Sequence, residues 1–377
     1  MTTVLAAEPD VRGHLTTDVV TDVADFVRLE AEWNDMVTRS GVTHPFLRHE
    51  WFRTWWDCFG AGRQLHIVVT RCGREIVAIA PLMFEQVQMY GVPARKLDFL
   101  HNDHTPRADL IVAPATASLA YHTIWDHVRA MSDQWDVWQL SRLPRTSRTL
   151  DALTSLVEPD RCLTGTWNGD VSPLLTLRGT WDSYYASLPA EFRSNLRNRL
   201  SRLVRFGEPR LEILDGRHAI ERACQDVERL EASGWKRESG SSIGSSPAVR
   251  RFYELLAARA AQCGWLRVMF LTVGDRRIAA SYGACFDRRL FLFKTGYDPD
   301  YASCSPFKLL TYFAIQRAYA ERLVEIDFLG DAEPWKLEWT DTSQPQDWLF
   351  VFANTARARL LHSIKFHVVP ALRRWRA

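Results

Sequence analysis

Two stretches far apart in this chain carry the same pattern, and a duplicated unit leaves few folds open. LHIVVTRCGREIVAIAPL (Leu65–Leu82) aligns without gaps on RVMFLTVGDRRIAASYG (Arg267–Gly283), with Thr70 falling on Thr272 and Ile76 on Ile278. Both read as strand, charged turn with a glycine, then strand, which is an antiparallel hairpin. Each follows a helical stretch containing aromatic residues, Glu50–Phe59 in one case and Ala248–Gln262 in the other. Helix plus hairpin, repeated at one offset, implies tandem copies of a single unit. The first copy is predicted to hold a helix at Val23–Arg39, strands at Lys96–Phe99, Ala108–Val112 and Val137–Leu140, and a helix at Thr116–Met131. The second is predicted to hold helices at Ala190–Phe206 and Arg217–Ala232, a strand at Leu211–Leu214 and a polar loop at Ser233–Pro247. Strands at Leu290–Thr295 and Val324–Leu329 complete it. Strands alternating with helices in each half predict an α/β fold with mixed sheets flanked by helices. At 377 residues the chain has room for two such units, drawn here at 1–165 and 166–377.

Composition excludes several classes of function. A formal charge of +2 provides no global basic field for nucleic acid. The seven cysteines include no CxxC pair, which argues against a disulfide framework or a zinc site and for thiols in a reducing compartment. The first residues lack a basic leader followed by an apolar run, and no apolar stretch reaches the roughly 20 residues of a membrane helix. A cytoplasmic protein is expected.

The densest signal runs from Gly296 to Trp339, GYDPDYASCSPFKLLTYFAIQRAYAERLVEIDFLGDAEPWKLEW. A strand passes through a polar loop into a helix at Ser305-Pro306, and a second apolar strand follows. Ser305 is expected to cap that helix with its hydroxyl, and Pro306 suits the first helical position. A helix start presents free amides and the positive dipole end, which suits a phosphate or pyrophosphate; Lys308 would add charge.

This order of parts resembles the acyl-CoA-binding core of the GNAT acetyltransferase superfamily, and more narrowly its CelD-type branch, related to the Fem-type aminoacyl transferases. Gly296-Tyr297-Asp298, Tyr301, Ser305-Pro306, Leu309-Leu310, Asp327-Phe328, Gly330, Lys336 and Trp339 match the branch pattern. Phe307 stands where a glycine is usual, and Trp335 replaces a tyrosine. The resemblance implies two tandem GNAT-like domains, the first degenerate and the second carrying the donor site. It implies acyl-CoA as co-substrate, no metal, and donor contacts at Ser303, Cys304, Ser305, Phe307 and Lys308.

Acyl transfer to an amine needs a deprotonated amine, a stabilised carbonyl oxygen and aligned reactants. Asp327, near the end of its strand, is a candidate base, and Lys336 a candidate partner for donor phosphate or an acidic acceptor. Trp235 and Lys236 border the polar loop. Tyr297 and Trp339 join the substrate-binding candidates. In the first half the run His101-Asn102-Asp103-His104-Thr105-Pro106-Arg107-Ala108-Asp109 lies between apolar strands. There Asn102, Arg107 and Asp109 are candidates for holding the acceptor, and His104 for a base near neutral pH. Cys304, at a helix start, leaves a covalent route open.

Two basic segments remain. Arg193, Arg197, Arg199, Arg202 and Arg205 flank an apolar seam, a rim for donor phosphates, an acyl carrier protein or a tRNA end. The tail from Ala356 is basic and amphipathic, which suits either peripheral membrane contact or a terminal core helix. The expected function is N-acyl transfer from acyl-CoA, by direct attack, to an amino sugar, an amino acid derivative or an intermediate of polysaccharide or secondary metabolism. Two alternatives stay open: a Fem-like transferase using aminoacyl-tRNA, and a non-catalytic polysaccharide-assembly protein with a decayed acyl-CoA site.

Overall fold

The computed structural model describes residues 15–216, 220–232 and 243–376, the last four by backbone alone. Its strands are β1 Leu15–Val20, β2 Gln64–Cys72, β3 Glu75–Met89, β4 Val92–Phe99, β5 Ile111–Val112, β6 Val137–Pro144, β7 Leu163–Thr176, β8 Pro209–Leu214, β9 Leu266–Val273, β10 Arg276–Phe286, β11 Arg289–Tyr297, β12 Glu325–Asp327 and β13 Ser343–Phe352. The helices are α1 Val23–Arg28, α2 Glu30–Arg39, α3 His49–Phe59, α4 Ala117–Ala130, α5 Thr149–Val157, α6 Trp181–Ser187, α7 Ala190–Val204, α8 Ile220–Ala232, α9 Pro247–Gln262, α10 Pro306–Ala320, α11 Pro334–Leu337, α12 Ala356–Ser363 and α13 Val369–Arg376.

The two copies are visible as the hairpins β2–β3 and β9–β10, each preceded by its helix, α3 or α9. The strands run in one path, β1-β2-β3-β4-β6-β13-β7-β12-β11-β10-β9-β8, with β5 beside β3. In each half one pair is parallel and short. Lys96, Leu97 and Asp98 of β4 pair with Val137, Trp138 and Gln139 of β6, and Arg289, Leu290 and Phe291 of β11 pair with Glu325, Ile326 and Asp327 of β12. Past those three residues both pairs diverge.

β7 and β13, which no reading of the sequence anticipated, join the halves. β13 pairs with β6 on one side and β7 on the other, and β7 goes on to pair with β12. Leu349–Phe352 of β13 and Ala358 and Leu361 of α12 lie in the core built under β4 and β6, so the end of the chain returns to the first half. A second core packs α7 and α10 on the second half. A third is shared: Phe46, Trp51 and Phe52 of the first half meet Phe252, Tyr253 and Phe291 of the second. Polar clamps close that seam, with Arg259 Nη2 2.7 Å from Asp57 and Nη1 donating to Thr54 at 2.8 Å.

Several local expectations change. The helix expected over 23–39 breaks at Leu29 into α1 and α2. The strand expected over 108–112 shrinks to β5, because Ala108 donates to the Arg142 carbonyl and fills the gap where β4 leaves β6. Ser305 does not cap α10 with its hydroxyl: it sits in the left-handed region at φ 48°, ψ 62°. A residue before proline is disfavoured in the right-handed helical region, and Ser305 also closes the tight turn Pro299–Cys304, its amide donating to the Ala302 carbonyl.

Candidate functional site

Where β11 parts from β12, a cleft of about 530 Å³ opens, lined by Leu292 to Tyr297, Phe328 to Asp331, Glu231, Phe307, Trp335 and Lys336. Its shape has local causes. In the β10–β11 ladder, Tyr282 pairs with Lys294 and Gly283 with Leu292, so Phe293 is an extra residue on β11. Such a bulge bends its strand and raises the local twist, which carries β11 away from β12. The extra ring is spent on the seam, edge-on to Trp51 at 5.5 Å. Gly296 is required where it stands: a Cβ there would lie 2.4 Å from the Glu231 amide, so only glycine lets the end of α8 rest on β11.

The opposite wall is a tightly held turn. Leu329 (φ 52°) and Gly330 (φ 59°) are both left-handed, and a leucine there is strained. Three bonds hold it. The Leu329 amide donates to Asp327 Oδ1 at 2.9 Å, and Lys336 Nζ donates to the carbonyls of Leu329 and Asp331, each at 2.8 Å. Glu333 closes on the same ammonium at 3.0 Å.

These contacts give Asp327 and Lys336 structural work. Asp327 is fully buried and forms an ion pair with Arg107 of the first half. Held in that buried pair and absent from the cleft lining, the carboxylate braces the wall of the cleft. Lys336, 6% exposed, spends its donors on the turn.

His104 lies behind Tyr253, whose hydroxyl is 3.2 Å from Nδ1. Burial first, then the Lys294 charge, hold its pKa down at about 4, so it is neutral at pH 7 and a poor base there. Asn102 turns back on the His104 amide at 3.0 Å. Asp109 binds Thr149 of α5 at 2.5 Å, and burial pushes its pKa up to about 6. Asn102, Arg107 and Asp109 therefore do not converge on one ligand.

At the start of α10, Phe307 reaches the cleft and packs edge-on against Trp335 at 4.7 Å. Lys308 pairs with Glu338 and lies 5.3 Å over the Phe192 ring, turned from the cleft, and Cys304 is fully buried. Ser303 meets α7, its carbonyl 3.5 Å from Arg202 Nη1. Tyr297 stands half-exposed at the cleft mouth. Trp339 is buried edge-on against Phe192 at 4.9 Å and lines a separate hollow of about 850 Å³ between Tyr184 and Thr342. We place the site in the smaller cleft, because the strand divergence opens onto it. Trp235 and Lys236 lie outside the described residues.

The reading of the sequence missed Glu231, Lys294 and Tyr253. Glu231 is 1% exposed, accepts from the Ile243 amide at 2.7 Å and belongs to the cleft lining. Lys294 Nζ is 3.8 Å from its Oε1 and 5.6 Å over the Tyr253 ring. Glu231, Lys294, Tyr253 and His104 form one polar line from the cleft to the first half. A signal existed: Glu231 follows Val227 by four residues on the buried stripe of α8, where an acid is out of place.

Parallel strands that splay after three pairs, in two successive units, decide the architecture. The fold is a tandem GNAT-like one. Within it, residues 190–337, which include the cleft walls, match the acetyltransferase (GNAT) domain family. FemX is similar in fold, with a TM-score of 0.62 at 11% identity, over 93% of this chain and 99% of FemX. So is the C-terminal domain (DUF2156) of a putative lysylphosphatidylglycerol synthetase from Agrobacterium fabrum, at 0.54 and 11%, over 90% and 96%. A conserved protein of unknown function from Bacteroides thetaiotaomicron VPI-5482 gives 0.53 and 11%, over 89% and 100%. At such identities the likeness speaks of fold alone. No curated protein matches the chain by sequence.

Proposed function

We propose that this chain is an N-acyltransferase that takes its acyl group from acyl-CoA, and that it is of the CelD type, a reading that the Gly296–Trp339 pattern supports. The observation that carries the reading is the divergence of β11 from β12, which leaves Leu292–Thr295 lining an open cleft at the edge of β11. An extended pantetheine arm can hydrogen-bond such an edge as an added strand does. The donor phosphates then lie toward the start of α10 and toward α7. Among the described residues no acid pairs with Arg193, Arg197, Arg199, Arg202 or Arg205, and Arg193 Nε and Arg199 Nη1 are buried without a hydrogen-bond partner.

The acceptor amine enters from the Tyr253 side. Glu231 takes its proton as the nitrogen attacks the thioester carbonyl; the C–S bond breaks, and the leaving thiolate takes that proton from Glu231 to become the free thiol. Lys294, 3.8 Å from that carboxylate, faces the developing oxyanion. The acceptor is read as an amino sugar, an amino acid derivative or an intermediate of polysaccharide or secondary metabolism. One observation favours a second reading: the Phe307 ring stands where phosphates would approach the backbone, so the acyl or aminoacyl group would come on a larger anionic carrier docked on α7, as a Fem-like tRNA donor would.

The test is Glu231→Gln, which keeps the bond to the Ile243 amide. Thiol release with acyl-CoA and a panel of amines should fall by about 10²- to 10⁴-fold, the worth of a positioned base, while CoA affinity by calorimetry stays unchanged. Full activity of the variant would remove Glu231 from the mechanism. No heat with CoA or any acyl-CoA would remove the donor.

A further inference from the structure

The C-terminal helical segment is built inside out. α12 starts at Thr355, whose hydroxyl accepts from the Ala358 amide at 3.2 Å, and runs through a π-helical turn, Ile364–Val368, into α13. Its inward side carries Ala358, Leu361 and a lysine. Lys365 is 8% exposed, with its ammonium 4.0 Å over the Phe350 ring and 4.5 Å over Trp167. Its outward side carries Leu360, Val368 and Leu372, exposed at 51%, 47% and 54%. With the half-buried Ile364 these are spaced every fourth residue. In a regular α-helix, residues four apart drift by roughly 40° at each step. The wider π-helical turn takes back part of that drift and keeps the stripe on one side. A helix that buries a cation and exposes a leucine stripe is patterned for a second apolar surface.

Charge identifies that surface. From Ala356 to the last residue the sequence holds Arg357, Arg359, Lys365, Arg373, Arg374 and Arg376, and no acid. Of the 47 Lys and Arg in the chain six lie here, and the remaining 41 stand against 45 Asp and Glu. The rest of the chain, taken together, is thus net acidic, while this segment is basic throughout. Two copies of so cationic a helix repel each other, which disfavours a second chain as the cover. An anionic bilayer supplies both needs, acyl chains for the leucines and headgroup phosphates for the arginines. Among the described residues no helix is long and apolar enough to cross a membrane. We propose that the segment from Thr355 onward lies on the surface of anionic membranes and holds the protein there. This inference stands on the tail alone and does not depend on the acyltransferase reading.

The experiment is co-sedimentation of the full chain with phosphatidylcholine vesicles, with and without phosphatidylglycerol, at low and high salt. Binding is expected to the phosphatidylglycerol vesicles alone and to weaken with salt. The variant Leu360→Ser/Val368→Ser/Leu372→Ser changes only exposed positions. It should keep the melting temperature and bind on the order of a hundredfold more weakly, from the lost apolar area. Arg357→Gln/Arg359→Gln should weaken binding roughly tenfold or more, at about a decade for each charge or less. The proposal is overturned by equal binding to both vesicle types, by no binding to either, by a triple variant that binds as the parent does, or by a lipid-free dimer that the triple variant abolishes.

Discussion

At the scale of single residues, the bond that matters most to the site's architecture joins positions 220 apart in sequence, Arg107 and Asp327. It connects the segment that fills the first half's strand gap to the wall of the second half's open one. Both partners are buried. Arg107→Ala should therefore cost about 3–5 kcal/mol, because it leaves a carboxylate uncompensated in the interior. The paired change Arg107→Met/Asp327→Leu should recover most of that loss, since apolar replacement of a whole buried pair is often neutral. Denaturant unfolding of both variants checks this, and an unaffected single variant would contradict it. The sequence showed Asp327 and Lys336 as parts of a motif but not their work, because their partners are set by tertiary contact. Glu231 was legible only as a misplaced acid on a helix stripe, and Lys294 only as a cation interrupting an apolar strand.

At the scale of elements, most helices and the repeated hairpins were readable from periodicity and caps. The two joining strands were not. β7 carries Gly165, Gly169 and Pro173, and β13 carries Pro345 at a bulge against β7; such residues break the alternation that marks a strand. The Ser305 turn misled for a different reason, since a good capping residue ahead of proline was pushed into a conformation where its hydroxyl does not cap.

One joint between elements gives a pH prediction. His66 of β2 and His127 of α4 face each other with Nε2 atoms 3.0 Å apart, so the pair has room for one shared proton. Burial first, then the neighbouring imidazole, lower His66 to about 4, and burial lowers His127. The folded pKa lies below the unfolded one, so the unfolded chain binds more protons between them. Stability is full above about pH 6.5 and is lost as the pH falls toward 4, by on the order of 2 kcal/mol. The double variant His66→Gln/His127→Gln should flatten that part of the stability curve. An unchanged slope in urea unfolding from pH 7 to 4 would show that the pair is not its source.

At the scale of the whole molecule, two copies of one unit have taken different fates within one sheet. In the first, residues near Ala108 close the gap between the parallel strands; in the second, the bulge at Phe293 and the strained Leu329-Gly330 turn keep it open. The duplication was legible in the sequence, whereas the closing of one gap was not, because it depends on where an irregular polar run happens to pack. An acyltransferase of this build must receive its thioester donor in the open gap, and amide hydrogen exchange with and without acyl-CoA reads that directly. Exchange at Leu292–Thr295 of β11 should slow on adding acyl-CoA, with Lys96–Phe99 of β4 unchanged. Unaltered exchange along β11 at saturating acyl-CoA, or protection confined to the first half, would contradict it.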